Sequence, residues 1–215
     1  VWAGMAKETA HQIGTPLSSL MAWVELLKEK EGTEEMTIEM EKDLKRLETI
    51  TERFSKIGSK AELTDENIKK LINETVSYME KRFSKNIEFF QNINIKSEKI
   101  MLNKVLLIWV IENICNNAAD AMKGEGSITL DCTENDYDIQ LLISDTGEGI
   151  DRNIIKSVFM PGVTSKKRGW GLGLSLAKRI IEEYHNGKIY VQNSTKESGT
   201  TFCILLPKKS NTTTS

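Results

Sequence analysis

Over the first sixty positions, apolar residues recur at helical spacing. Ile13, Leu17, Leu20, Val24 and Leu27 follow one another at alternating intervals of four and three, which lines them up as one stripe on a helix that packs lengthwise against others. Gly32 and Thr33 interrupt the pattern. A second stripe, Met40, Leu44, Leu47, Ile50, Phe54 and Ile57, then runs to Gly58 with Glu and Lys on the remaining faces. The two stripes predict an antiparallel helical hairpin. A hairpin of about 60 residues cannot bury both stripes by itself, so pairing with a second copy into a four-helix bundle is the economical arrangement.

Beyond Gly58 the period changes. The polar stretch SKAELTDEN leads into a helix expected over 65–82, a strand over 86–95 and a helix over 102–122. Strands over 127–133 and 138–144 follow, joined by the turn-like ENDY. A helix over 172–184 ends at Asn186-Gly187, a helix-stopping pair. Strands over 188–193 and 200–206 close the pattern, and KKSNTTTS reads as a frayed tail. The predicted fold class is α+β: the helical hairpin (1–60), then an α/β sandwich with helices on one sheet face (61–208), then the tail (209–215).

Composition narrows the possible roles. A chain of 215 residues with 39% hydrophobic content has room for one large or two modest cores. Its 29 basic and 31 acidic residues, net charge -2, argue against nucleic acid as the main partner. No apolar run is long enough for a membrane span and no signal peptide opens the chain, so this segment is expected in the cytosol. Cys115, Cys132 and Cys203 are odd in number and far apart, which suggests small core residues rather than a disulfide framework or zinc site. The opening VWAGMAKE is already in helical register, as in a piece of a longer protein.

Two glycine clusters carry candidate chemistry. SDTGEGI (144–150) directly follows an apolar strand, and GWGLGLS (169–175) directly precedes a helix. Glycines there permit positive φ and close backbone approach, and the second cluster suits an anion such as phosphate. Neither a Walker loop nor a dinucleotide fingerprint is present, and either cluster alone could be an ordinary turn. In VIENICNNAADAM, Asn113 and Asn117 lie four apart on one helix face, with Asp120 the next turn on. Side-chain carbonyls are suitable magnesium ligands when phosphate oxygens and water complete the octahedron. For this pair by itself, a polar surface stripe is the simpler account.

In order and combination these pieces resemble the histidine kinases of bacterial two-component signalling, over nearly the whole chain. HQIGTPL resembles their phosphoacceptor box, ENICNNAADAM their asparagine box and DTGEGI their first glycine box. VFMPGVTSKKRGWGLGLSLAKRI is similar to their phenylalanine box, lid and second glycine box, and SGTTF to the closing Gly-Thr element. The resemblance implies a dimerising phosphotransfer hairpin followed by an ATP-binding sandwich of the Bergerat type, shared with gyrase, Hsp90 and MutL. It implies that Asp145 accepts a hydrogen bond from the adenine amine, supported by Gly147, Gly149, Ile150 and, through water, Thr200. Asn117 would coordinate Mg2+ with Asn113 and Asp120 nearby. Gly169, Gly171, Leu172, Gly173 and Leu174 would cradle the phosphates of ATP under a lid over 151–168. Lys166, Lys167 and Arg168 would neutralise phosphate charge, unless this basic run is simply a solvated loop.

The resemblance gives His11 the role of phosphoacceptor. Neutral imidazole near pH 7 has a free nitrogen lone pair that can attack the γ-phosphorus in line. Pro16 removes a helical hydrogen bond five residues later, and Gly14 loosens the same turn, so a bend is expected there. Thr15 matches a position at which related enzymes orient water to dephosphorylate their partner. One departure stands out: where the family commonly has Glu or Asp after the histidine, this chain has Gln12, which cannot act as a carboxylate base. Either Glu8 or Glu112 substitutes, or the imidazole reacts without strong base help, or transfer is slow. His185, beside Asn186-Gly187, reads as a dipole or capping residue at a helix end.

The implied partners are a response-regulator receiver domain, which takes the phosphoryl group onto aspartate, and a second copy of the chain. Inner-membrane attachment of a full-length protein through an upstream region is compatible with the resemblance. Two alternatives stay open: an ATPase of the gyrase or MutL kind, and a non-catalytic ATP-binding dimeric scaffold. Against the first, those ATPases carry a water-activating Glu where this chain has Asn113.

Overall fold

The computed structural model describes residues 13, 17, 18, 20–30, 32–58, 62–97, 99–164 and 171–208, without the side chains of 42, 46, 49, 50 and 52–58. The chain divides into two compact units, 1–61 and 62–215.

In the first unit, residues 20–28 form helix α1 and Glu34–Gly58 form helix α2. Gly32 turns the chain at φ +84°, a left-handed conformation that a Cβ disfavours. Thr33 Oγ1 reaches back to the carbonyls of Leu27 (2.6 Å) and Lys30 (2.8 Å), serving acceptors that the end of a helix leaves open. Glu34 and Glu35 occupy the first turn of α2, where the helix dipole favours negative charge. Leu17, Val24 and Leu44 form a buried cluster between the two helices. From the same stripes, however, Ile13, Leu20, Met40 and Leu47 remain 42, 47, 39 and 44% exposed. One hairpin thus covers only part of its own apolar surface.

The second unit runs β1 (Thr64–Glu66), α3 (Ile68–Glu80), β2 (Ile87–Asn94), β3 (Ile100–Leu102), α4 (Lys104–Ala121), β4 (Gly126–Glu134) and β5 (Asp138–Asp145). A short 3-10 turn (Ile155–Ser157) and α5 (Gly173–Arg179) follow, then a π-helical turn (Ile180–Tyr184), β6 (Lys188–Thr195) and β7 (Gly199–Pro207). Five strands make one sheet in the order β2-β4-β5-β7-β6, with β2 parallel to β4 and all other neighbours antiparallel. Alternation decides the layers. Ile128, Leu130 and Cys132 of β4, Ile139, Leu141 and Ile143 of β5, and Phe202, Ile204 and Leu206 of β7 are buried and paired across the strands. Helix α4 lies on β4 and β5 and packs against α3 and α5. The expected sandwich with one helical layer is the one found.

Most boundaries fall within two residues of the sequence reading, and the larger differences have local causes. The helix expected from 65 begins at Ile68, because Asn67 Oδ1 accepts from Lys70 N (2.8 Å) and caps it. The residues before it pair instead with 100–102 as a two-stranded ribbon, Thr64 opposite Leu102, a strand pair that the sequence pattern missed. The helix expected over 172–184 is α-helical only to Arg179. Its π-helical end is fastened by His185, which is 3% exposed. Nδ1 faces the Ile180 carbonyl at 2.8 Å and must donate, so Nε2 is the acceptor for the Asn103 N–H at 3.0 Å. The ring is therefore neutral, and burial pushes its pKa down, opposed by the hydrogen bond that Nδ1–H donates to the Ile180 carbonyl. It does cap a carbonyl as expected, but as an uncharged bridge to the start of α4 rather than as a cation complementing a dipole.

Cys115, Cys132 and Cys203 are buried free thiols. Burial pushes the Cys132 thiol up to about 12 and raises that of Cys115 as well, as suits packing rather than reactivity. No helix among the described residues is long and apolar enough to cross a membrane.

Candidate nucleotide-binding site

Asp145 ends β5 and is 6% exposed. Its Oδ1 accepts from Gly147 N (2.8 Å) and from Thr200 N (3.2 Å). Burial raises its pKa, and the two amides only partly oppose this. Both bonds land on one oxygen, which leaves Oδ2 as the acceptor for a ligand. Backbone proximity makes the arrangement possible. Gly199 sits at φ +73°, and a Cβ there would fall on the Asp145 carbonyl oxygen; a Cβ on Gly147 would come within 2.8 Å of Ala121 Cβ. Only glycine satisfies both conditions at 199.

The loop after Asp145 is held from two sides. Glu148 N donates to the Ala121 carbonyl at the end of α4 (3.2 Å). Ile150 N donates to Ser194 Oγ (2.7 Å), which in turn shares a hydrogen bond with Thr200 Oγ1 (2.9 Å). Gly149, at φ +69°, passes so close to the Thr195 carbonyl that a Cβ would overlap it.

On α4, Glu112, Asn113 and Asn117 are half-buried and Asp120 is exposed. Asn113 Nδ2 is buried and has no hydrogen-bond partner among the described residues, an orphaned donor of the kind that marks a place for a ligand. Gly173, the first residue of α5, abuts the same amide: a Cβ there would overlap Asn113 Oδ1 and lie 3.0 Å from Nδ2. Gly171, at φ +61°, lies against Gly162 and Val163, 2.6 Å from the Gly162 carbonyl carbon if it carried a Cβ. Gly162 N donates to the Gly171 carbonyl (3.0 Å), so the flanks of the segment between them meet. The Leu172 carbonyl accepts from Ser175 Oγ (2.8 Å) and Leu176 N (2.9 Å), and Leu174 is half-buried in the first turn of α5. Phe159 packs edge-on against Phe202, with Lys178 over its ring.

The residues present fit a nucleotide: a buried carboxylate with one open oxygen, an orphaned amide donor, and a turn whose glycines bring the backbone directly against that amide and against Gly162. Among the described residues no group of three or more His, Cys, Asp or Glu could hold a metal ion. His11, Gln12, Thr15, Lys166 and Gly169 lie outside the described residues. The structure adds two residues that the sequence reading did not single out, Ser194 and Gly199. Gly199 was visible only as part of SGTTF. Ser194 carried no motif, and plain strand alternation from Val191 would place it on the outer face.

Comparison with known proteins agrees with this geometry. Residues 103–210 match the family model described as histidine kinase-, DNA gyrase B-, and HSP90-like ATPase, and residues 2–60 match the His Kinase A (phospho-acceptor) domain. Sporulation kinase A of Bacillus subtilis is 30% identical over 215 residues, covering 95% of this chain and 34% of that protein. The catalytic domain of histidine kinase ThkA superposes with a TM-score of 0.61 at 29% identity, over 68% of this chain and 98% of that one. A structure of ThkA in complex with the response regulator protein TrrA superposes with a TM-score of 0.62 at 25% identity, over 96% of this chain and 61% of that one. The fold and site define an ATP-binding sandwich of the gyrase and HSP90 kind. With the phosphoacceptor domain before it, the chain belongs to this family as the catalytic core of a two-component histidine kinase. It spans 34 to 45% of the length of the first curated relatives it matches.

Proposed function

We propose that this chain phosphorylates itself on His11 with ATP and passes the phosphoryl group to an aspartate of a response-regulator receiver domain. The observation that carries the reading is the pairing of a phosphoacceptor domain match at 2–60 with a sandwich that holds a buried Asp145 carboxylate beside Gly147 and an orphaned Asn113 amide beside Gly173. Asp145 Oδ2 accepts from the adenine amine, while Asn113 and the 171–173 turn hold the phosphates with Lys166 and Gly169. Asn117 supplies a carbonyl to Mg2+, whose chemistry there is to neutralise charge developing on the transferred group. In the transfer, an imidazole nitrogen of His11 attacks the γ-phosphorus. An N–P bond forms as the P–O bond to ADP breaks, and the other ring N–H gives up its proton. Gln12 cannot take that proton, which leaves Glu8, Glu112 or water.

The apolar residues that one hairpin leaves exposed, Leu20 and Leu47 among them, support a homodimer closed as a four-helix bundle. Dephosphorylation of the regulator, with Thr15 orienting water, is the secondary activity of this reading. Gln12 favours one alternative, a scaffold that binds ATP without turnover. Incubation with γ-labelled ATP separates the cases. Acid-labile label on the wild type that is absent from His11→Ala supports the kinase, phosphate release without label indicates an ATPase, and binding alone indicates the scaffold.

A further inference from the structure

Strand β6 carries an irregularity that re-aims one side chain. Val191 pairs with Phe202 and Asn193 with Thr201, so two steps along β6 match one along β7. Such a bulge shifts the inward and outward alternation by one. Val191 faces the helical layer with Phe202. Without the extra residue Asn193 would be next to face inward; with it, Ser194 does, opposite Thr200.

The turned-in hydroxyl is 9% exposed and joins three segments. It accepts from Ile150 N at 2.7 Å and bonds Thr200 Oγ1 at 2.9 Å, while Thr200 N donates to Asp145 Oδ1 at 3.2 Å. Ser194 therefore grips both ends of the base-facing wall: the loop that follows Asp145, and the strand residue whose amide holds the Asp145 carboxylate. We infer that Ser194 is a positioning residue for adenine recognition, acting through Asp145 by holding Ile150 and Thr200 in register. The inference rests on the reading that Asp145 accepts from the adenine amine.

A residue that acts through the carboxylate matters for a base bearing the amine and not for one lacking it. The test therefore measures dissociation constants of the 215-residue chain for ATP and for purine riboside triphosphate, which lacks the 6-amino group, by calorimetry. Wild type, Ser194→Ala and Ser194→Thr are compared, with thermal melts of each. Removing the hydroxyl strips the Ile150 amide of its partner. The expected result is about tenfold weaker ATP binding in Ser194→Ala, the effect of one buried hydrogen bond. The same change alters the analogue's affinity less than twofold, and Ser194→Thr, which keeps the hydroxyl, retains ATP binding. Two outcomes overturn the inference while leaving the adenine reading intact: a wild type that prefers ATP with a Ser194→Ala that prefers it equally, or equal losses for both nucleotides. A wild type that binds the two nucleotides equally overturns the adenine reading and this inference together.

Discussion

Replacing Asp145 with Asn should pull apart two consequences of burying a carboxylate. The backbone amides of Gly147 and Thr200 both donate to Oδ1, at 2.8 and 3.2 Å, and an amide oxygen accepts both equally well in geometry. What changes is the other position, where an acceptor becomes an N–H donor that, on the proposed reading, faces the donor amine of adenine. A hydrogen bond to a charged group contributes about 1.5 to 3 kcal/mol, so ATP affinity should fall on the order of a hundredfold. Stability moves the other way. Burial raises the Asp145 pKa, so the folded state holds this proton more tightly than the unfolded chain does. Its contribution is present below the ordinary carboxylate range and is lost as pH rises through the raised value. At neutral pH the nucleotide-free wild type carries that penalty and Asp145→Asn does not. The nucleotide-free variant should therefore melt higher than wild type at pH 7, with the gap closing toward acid. Differential scanning fluorimetry across pH and calorimetry with ATP check the two halves. A variant that melts lower than wild type, or binds ATP within threefold of it, would refute the argument.

Two further outcomes follow from the geometry. His185→Leu removes the partner of the part-buried Asn103 N–H and of the buried Ile180 C=O, and should cost about 2 to 4 kcal/mol. Because the folded His185 pKa is depressed, the wild type's advantage should be full above about pH 6.5 and shrink as pH falls through the lower folded value, which urea unfolding at several pH values will show. Gly173→Ala places a methyl on Asn113 Oδ1, with an overpacking cost of about 1 to 3 kcal/mol. It should weaken ATP binding more than tenfold, and its stability cost should be smaller in an Asn113→Ala background, as a double-mutant cycle reads.

Local pattern settled a good deal. The stripes through Leu17, Val24 and Leu44 announced a helical hairpin with more apolar surface than it can hide, because residues three and four apart share a helix face whatever lies elsewhere in the chain. The period-two runs of β4, β5 and β7 fell within a residue or two of their observed ends for the same reason. The glycine clusters and the Asn113 and Asn117 pair were legible as chemistry through the order in which they occur.

Other features depended on which distant segments meet, and no spacing rule carries that. The three residues Thr64–Glu66 are too short to show a period, and become a strand only because Ile100–Leu102 lies beside them. Strand β2 finds its parallel neighbour 39 residues away, where Asn92 Nδ2 donates to Asp131 Oδ1. His185 looked like an ordinary helix-end residue until α4 supplied the amide that makes it a neutral, buried bridge. Ser194 is the plainest case. One extra residue in β6 turns it from the outer face toward Thr200. The sequence shows the residue, but only the pairing of β6 with β7 decides which way it points.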